Sequence, residues 1–147
     1  MRDTMQDFGI VTDTMECSVN WSNMSKVHAE VRAFCKSRPN TICMTHMSHV
    51  YPQGANLYFI FIIKESDPEA FRAYHAGILS AIQKSGAAMS HHHGIGKMFA
   101  PWLEGSLGKQ EYDVLRTLKN HFDPDNIMNP GGTLGFDLKE SEKRFPN

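Results

Sequence analysis

Residues 10–19 alternate: Val11, Met15, Cys17 and Val19 fall on one face, and Thr12, Thr14, Glu16 and Ser18 fall on the other. That period of two predicts a half-buried strand. The period then changes. Met24, Val27, Val31 and Phe34 recur every three or four residues, an apolar helical stripe that Ser22 or Asn23 is placed to cap and Pro39-Asn40 to stop. Residues 41–50 return to a strand pattern rich in β-branched and sulfur side chains, and Tyr51-Pro52-Gln53-Gly54 reads as a turn. Residues 57–63 carry large apolar side chains on both faces. They predict a central strand, covered twice and joined to its predecessor as an antiparallel hairpin.

Ser66 and Glu69 have capping-box spacing, and Pro68 suits a first helical turn. Phe71, Tyr74, Ile78 and Ile82 form that helix's buried stripe, and Gly86 ends it. Residues 87–90 read as a short strand leading into His91-His92-His93-Gly94-Ile95-Gly96-Lys97. A third helix is predicted over about 109–122, with Tyr112, Leu115, Leu118 and Phe122 inward and Asp123-Pro124 as its stop. Residues 2–6 read as the last turns of a helix. The order predicts an α+β class, with helices packed on an antiparallel sheet. The strand–helix alternation of a parallel nucleotide-binding sheet is absent. One domain is expected over 1–132, with a solvated, charge-rich tail over 133–147.

Composition narrows the class. A chain of 147 residues with 41% hydrophobic and 21% charged residues suits one domain with a real core. The longest apolar run, 57–63, is far too short for a membrane span, and the N-terminus lacks the layout of a secretion signal, so a cytoplasmic location is expected. Fifteen Lys plus Arg against sixteen Asp plus Glu argue against a chain built to coat nucleic acid. Cys17, Cys35 and Cys43 are an odd set without a C-x-x-C pair, so reduced thiols are expected, not a disulfide framework or a structural zinc site. The Asn-x-Ser matches at Asn20 and Asn23 are then chance.

Eight histidines stand out. Three adjacent imidazoles, each titrating near neutral pH, read either as a solvated turn or as a proton-handling cluster beside a ligand. A metal site fits poorly, because His91 and His93 of an extended segment point one way and His92 the other. No metal ligand set is assigned. Gly94-Ile95-Gly96-Lys97 fails both phosphate-loop patterns: position 99 is not Gly, and no Ser or Thr follows Lys97. Tyr58 reads as a core tyrosine with a backbone partner or as an exposed hydroxyl at the strand's early end. His46 and His49 fall on opposite faces of one strand and are not expected to pair. His28 and His75 read as packed, and His121 as a helix C-terminal group favoured by the dipole.

These motifs, taken together, resemble a family. Ser90-His91-His92-His93-Gly94-Ile95-Gly96-Lys97, Trp102-Leu103 and Phe122-Asp123-Pro124-Asp125-Asn126-Ile127 are similar to the C-terminal part of flavin-dependent alkylglycerone-phosphate synthases, within the vanillyl-alcohol-oxidase-like FAD enzymes. Arg2-Asp3, residues 13–19, Trp21 and the stretch from Tyr51 through Phe59 extend the likeness over about 2–131. The histidine triplet favours the synthase branch, since hydroxy-acid dehydrogenases of the group carry Glu-His-Gly-Ile-Gly instead. Asn129-Pro130-Gly131 leans toward those oxidising relatives.

The resemblance implies a ferredoxin-like cap domain of an FAD-linked oxidase. It implies that Arg2 binds the leaving carboxylate, that Tyr58 works in acid–base chemistry, and that His91, His92 and His93 line the site. His92 and Asn129 are implied on the cofactor side. The implied reaction exchanges the acyl group of acyl-dihydroxyacetone phosphate for a fatty alkoxy group, with flavin N5 as the covalent trap and no net redox. The alternatives are an FAD-dependent oxidase or dehydrogenase of hydroxy acids and, from another class, a stand-alone metal-binding module built on the histidines. FAD is expected to be held mostly by a domain outside this chain, leaving the chain inactive alone, folded and colourless. The implied partners are that FAD-binding domain, a lipid-like or hydroxy-acid molecule, a membrane touched peripherally and a second copy on an uncovered sheet face, with no nucleic acid. Arg2, Tyr58 and the histidine row should then gather at one rim of a sheet.

Overall fold

The computed structural model describes residues 2–132 and 134, with side chains from residue 4 onward. The elements are α1 (Arg2–Gln6), β1 (Ile10–Asn20), a 3-10 turn (Trp21–Asn23), α2 (Met24–Ser37), β2 (Ile42–Ser48), β3 (Gly54–Lys64), α3 (Pro68–Ser85), α4 (Gly96–Leu107) and α5 (Lys109–Phe122). The chain divides into two units, Met1–His91 and the residues from His92 on. The expected tail, 133–147, and the Arg2 side chain lie outside the described residues apart from Leu134.

In the first unit the sheet order is β1-β3-β2, and both pairings are antiparallel. β3 is central, as its doubly apolar pattern requires. Met15, Cys17, Leu57, Phe59, Phe61 and Ile63 bury one face of the sheet. Val27, Val31 and Cys35 of α2, with Ile78, Leu79 and Ile82 of α3, supply the helical half of that core. α2 and α3 approach closely at Gly77, where an added Cβ would lie 2.1 Å from Phe34 Cζ. His75 and His28 are packed as expected. Burial lowers the pKa of His75, and nearby Asp13 opposes the shift.

Four local expectations are corrected. Asp67, not Ser66, caps α3, accepting from the Glu69 amide at 2.9 Å. Asn23 makes no side-chain cap on α2; its Nδ2 donates instead to Ser85 O at the end of α3, 2.9 Å away. The short strand at 87–90 is a single antiparallel bridge between Ser18 and Ala88. That bridge marks where the fourth, outer strand of a ferredoxin-like sheet would run beside β1. Lastly, residues 96–107 form the helix α4, which the sequence pattern did not announce, because Gly96, Pro101 and Gly105 interrupt it.

In the second unit α4 packs on α5 and buries Phe99, Ala100, Trp102 and Leu103. α5 matches its predicted span, yet none of its residues is buried. Tyr112 and Leu115 are half-buried, with Tyr112 donating to Leu134 O at 2.7 Å, whereas Leu118 and Phe122 are 48% and 79% exposed and not inward. Asp123 closes the following turn. Its carboxylate accepts from the Ile127 and Met128 amides, each at 3.0 Å, and pairs with Lys119. The Lys119 ammonium and those amides hold the Asp123 carboxyl below its ordinary range.

Candidate active site

The sheet face away from α2 and α3 carries the polar parity of β1. Antiparallel register puts Glu16, Tyr58 and His46 on one rung, Glu16 opposite Tyr58 and Tyr58 opposite His46. Directly opposed residues share a face, so these three side chains project together. The His46 ring stacks on Tyr58 at 4.8 Å between centroids and 19° between planes. The Tyr58 hydroxyl donates to Thr14 Oγ1 at 3.1 Å, a side-chain partner one rung along the same face. Tyr58 is half-buried and belongs to this face, not to the helix-covered core. Beyond it the face turns apolar, with Ile60 and Ile62 half-buried and Ile42 and Met44 exposed at 54% and 46%.

Glu16 is fully buried on this face. Its Oε1 accepts from Ser90 Oγ at 3.0 Å and from the His91 amide at 2.7 Å. The carboxylate therefore ties the start of the histidine row to the Tyr58 rung. His91 Nε2 lies 2.9 Å from the Tyr51 hydroxyl, and its ring is 4.7 Å from that of His49. His49 reaches this position because β2 ends at Ser48 and His49 takes a positive φ of 49°. Alternation stops there, so the rule that placed His46 and His49 apart no longer applies. Both histidines join site groups: His46 through Tyr58 and His49 through His91.

His92 and His93 belong to the second unit, where both are exposed and their rings meet edge-on at 4.7 Å. Gly94 and Gly96 have φ values of 79° and 54°, and a Cβ on either would meet nothing within 4 Å. Backbone conformation, not close packing, is what calls for glycine there. Asn129 is exposed with φ 50°, and its side chain lies against Gly132 in a turn closed by the Gly132 amide on Asn129 O. Within the first unit, then, Tyr58 and His91 are linked through Glu16, and Glu16, Thr14, Tyr51, His46 and His49 are the members that sequence reasoning missed.

The reduced thiols lie on the other face. Cys35 and Cys43 share a hydrogen bond, which with nearby Arg32 and Lys36 lowers Cys43 to about 7 against the opposing effect of burial. The same bond and burial raise Cys35.

The first unit is thus an α+β domain of β-α-β-β-α order, with one sheet face under helices and the other carrying a phenol, imidazoles and a buried carboxylate. Residues 1–133 match the family described as FAD linked oxidases, C-terminal domain, and the chain belongs to that family. It is 32% identical over 155 residues to the alkyldihydroxyacetonephosphate synthase of Dictyostelium discoideum, covering 99% of this chain and 25% of the relative. A 55-residue stretch is 42% identical to the glycolate oxidase subunit GlcD of Bacillus subtilis, covering 37% of this chain and 12% of that protein. A solved structure of alkyldihydroxyacetonephosphate synthase superposes with a TM-score of 0.58 at 26% identity, over 88% of this chain and 22% of that one. The chain thus spans about a quarter of the length of the synthase it matches.

Proposed function

We propose that this chain is the substrate-facing domain of an FAD-dependent, alkylglycerone-phosphate-synthase-like enzyme that exchanges an acyl for an alkoxy group on acyl-dihydroxyacetone phosphate. The carrying observation is the single rung of Glu16, Tyr58 and His46 with His91 hydrogen-bonded to its carboxylate. Likeness to the synthases over nearly the whole chain supports the substrate. We take this face as one wall of a flavin site: the Tyr58 and His46 rings, stacked on each other, stand beside half-buried Ile60 and Ile62, which sets hydroxyl and imidazole groups next to apolar surface. When bound, FAD supplies an electron-accepting ring system at the substrate carbon.

The chain's own residues handle protons there. Thr14 Oγ1 accepts the Tyr58 hydroxyl hydrogen and so orients the phenol, the group we propose for acid–base work on the substrate. His91, paired with Tyr51, presents a second proton-handling group. Arg2, His92, His93 and Asn129 enter the proposal through resemblance alone: Arg2 for a carboxylate, His92 and Asn129 toward the cofactor. Among the described residues no helix is long and apolar enough to cross a membrane, so contact with a lipid surface is proposed as peripheral.

A second reading, an FAD-dependent oxidase of hydroxy acids, is favoured by the glycolate oxidase match. The complete flavoprotein carrying this chain separates the two. Given acyl-dihydroxyacetone phosphate and labelled fatty alcohol, it should form the ether and release fatty acid without lasting flavin bleaching. Bleaching by a hydroxy acid, restored by an electron acceptor and without exchange, overturns the synthase reading. Tyr58→Phe should lower turnover by about 10²–10⁴-fold, the usual range for a lost acid–base group.

A further inference from the structure

The open-face row of β1 is Thr12, Thr14, Glu16 and Ser18. Thr12, Thr14 and Ser18 are half-buried, and Glu16 alone is fully buried. Desolvating a carboxylate is costly, and β1 carries Met15 and Cys17 on either side, so an apolar residue could occupy the position at lower cost. A buried acid kept at such a place points to a duty other than packing.

The register shows what that duty is. Ser18 and Ala88 exchange both backbone hydrogen bonds, at 3.2 and 3.0 Å. Continued antiparallel, that ladder would next pair Glu16 with Ser90 through their backbones. Instead, the Glu16 carboxylate takes the Ser90 hydroxyl at 3.0 Å and the amide of the next residue, His91, at 2.7 Å. A side chain stands in for the missing rung. It stops the incipient strand one residue before the imidazole it must aim, and it does so on the rung that carries Tyr58.

We propose that Glu16 is a positioning residue: its carboxylate fixes His91 at the level of Tyr58, so that the imidazole meets the Tyr51 hydroxyl at 2.9 Å and the His49 ring at 4.7 Å. The catalytic part of this inference rests on the function proposed above; the anchoring part does not.

The anchor is tested on this 147-residue chain by amide hydrogen exchange and proton cross-relaxation. In the unsubstituted chain the His91 amide should exchange at least about 100-fold more slowly than an unstructured amide, although His91 lies outside any helix or strand. Glu16→Met keeps the volume and removes the acceptor. It should abolish that protection and the Tyr51–His91 ring contacts while leaving the Phe59 and Phe61 signals in place. Glu16→Gln keeps an acceptor oxygen and should restore both. An unprotected His91 amide in the unsubstituted chain overturns the anchor without any variant having to fold. So does a folded Glu16→Met chain with His91 unchanged.

In the complete flavoprotein, Glu16→Met should lower kcat at least about tenfold with KM within about twofold, and Glu16→Gln should recover most of it. Unchanged kcat in Glu16→Met, with His91 released, overturns the positioning role. Absence of acyl-for-alkoxy exchange in the unsubstituted flavoprotein, with His91 protected, overturns the synthase reading and leaves the anchor standing.

Discussion

The two units use apolar side chains in opposite ways. In the first, β3 sends Leu57, Phe59, Phe61 and Ile63 into a closed core under α2 and α3. In the second, α5 has an apolar series at i, i+4, i+8 (Val114, Leu118 and Phe122), and all three are exposed. Ile127 and Met128, in the turn that follows, are exposed as well. A spacing that buries a helix in one unit leaves it facing outward in the other. Periodicity therefore reports that a face is apolar, and says nothing of whether this chain supplies its cover.

The sharpest break between the units is expected from core deletion. Phe61→Ala should cost about 3–5 kcal/mol in urea unfolding followed on the first unit, because a fully buried ring leaves a cavity. A loss below about 1 kcal/mol would mean that the sheet–helix core is not the stabilising element. Overpacking comes next. Gly77→Ala should cost about 1–3 kcal/mol, since Phe34 must move out of the way, and Phe34→Leu should recover part of it.

Acid sensitivity follows. Burial depresses the His75 pKa below its ordinary 6.5, so the unfolded chain binds the proton more readily. The stability held by neutral His75 is complete above about pH 6.5 and declines as pH falls toward the folded-state value. His75→Leu should flatten that decline in thermal melts, and an unaltered pH profile would sink the assignment. Asp123 acts locally in the second unit. With its carboxyl held down, its contribution is present above the unfolded value of 3.8 and is lost as pH falls through the folded one. Asp123→Ala should speed exchange of the Ile127 and Met128 amides while leaving the Phe61 core untouched. The smallest stability effect belongs to Phe122→Ser, within about 0.5 kcal/mol, as for an exposed side chain. The same change should weaken self-association in sedimentation if the outward α5 face mediates it.

Most of the fold was legible in the sequence, because strands and helices of the first unit obey one period each over many residues. α4 was hidden by its glycines and Pro101, and the short strand at 87–90 shrank to one bridge because the Glu16 side chain takes the next rung. The candidate site was legible in part. Tyr58 and the histidine row were visible as chemistry, but what joins Tyr58 to His91 is a cross-strand register, and register is not written in local spacing. Glu16 read as one more polar residue on an alternating strand. His46 and His49 do not pair, as expected, but the place of His49 beside His91 could not be read from alternation, because β2 ends at Ser48 and His49 takes a positive φ.

The hydrogen bond of the Thr14 amide to its neighbour Asp13 has a consequence for solubility. The Ser18–Ala88 pair shows that the even-numbered amides of β1 point away from β3. An outward amide on a strand edge can be taken by a strand from another molecule. At Thr14 the donor is already taken, by Asp13 Oδ1 at 2.9 Å. A strand pairing at Thr14 would have to displace that carboxylate first, so the acid raises the cost of adding a rung there.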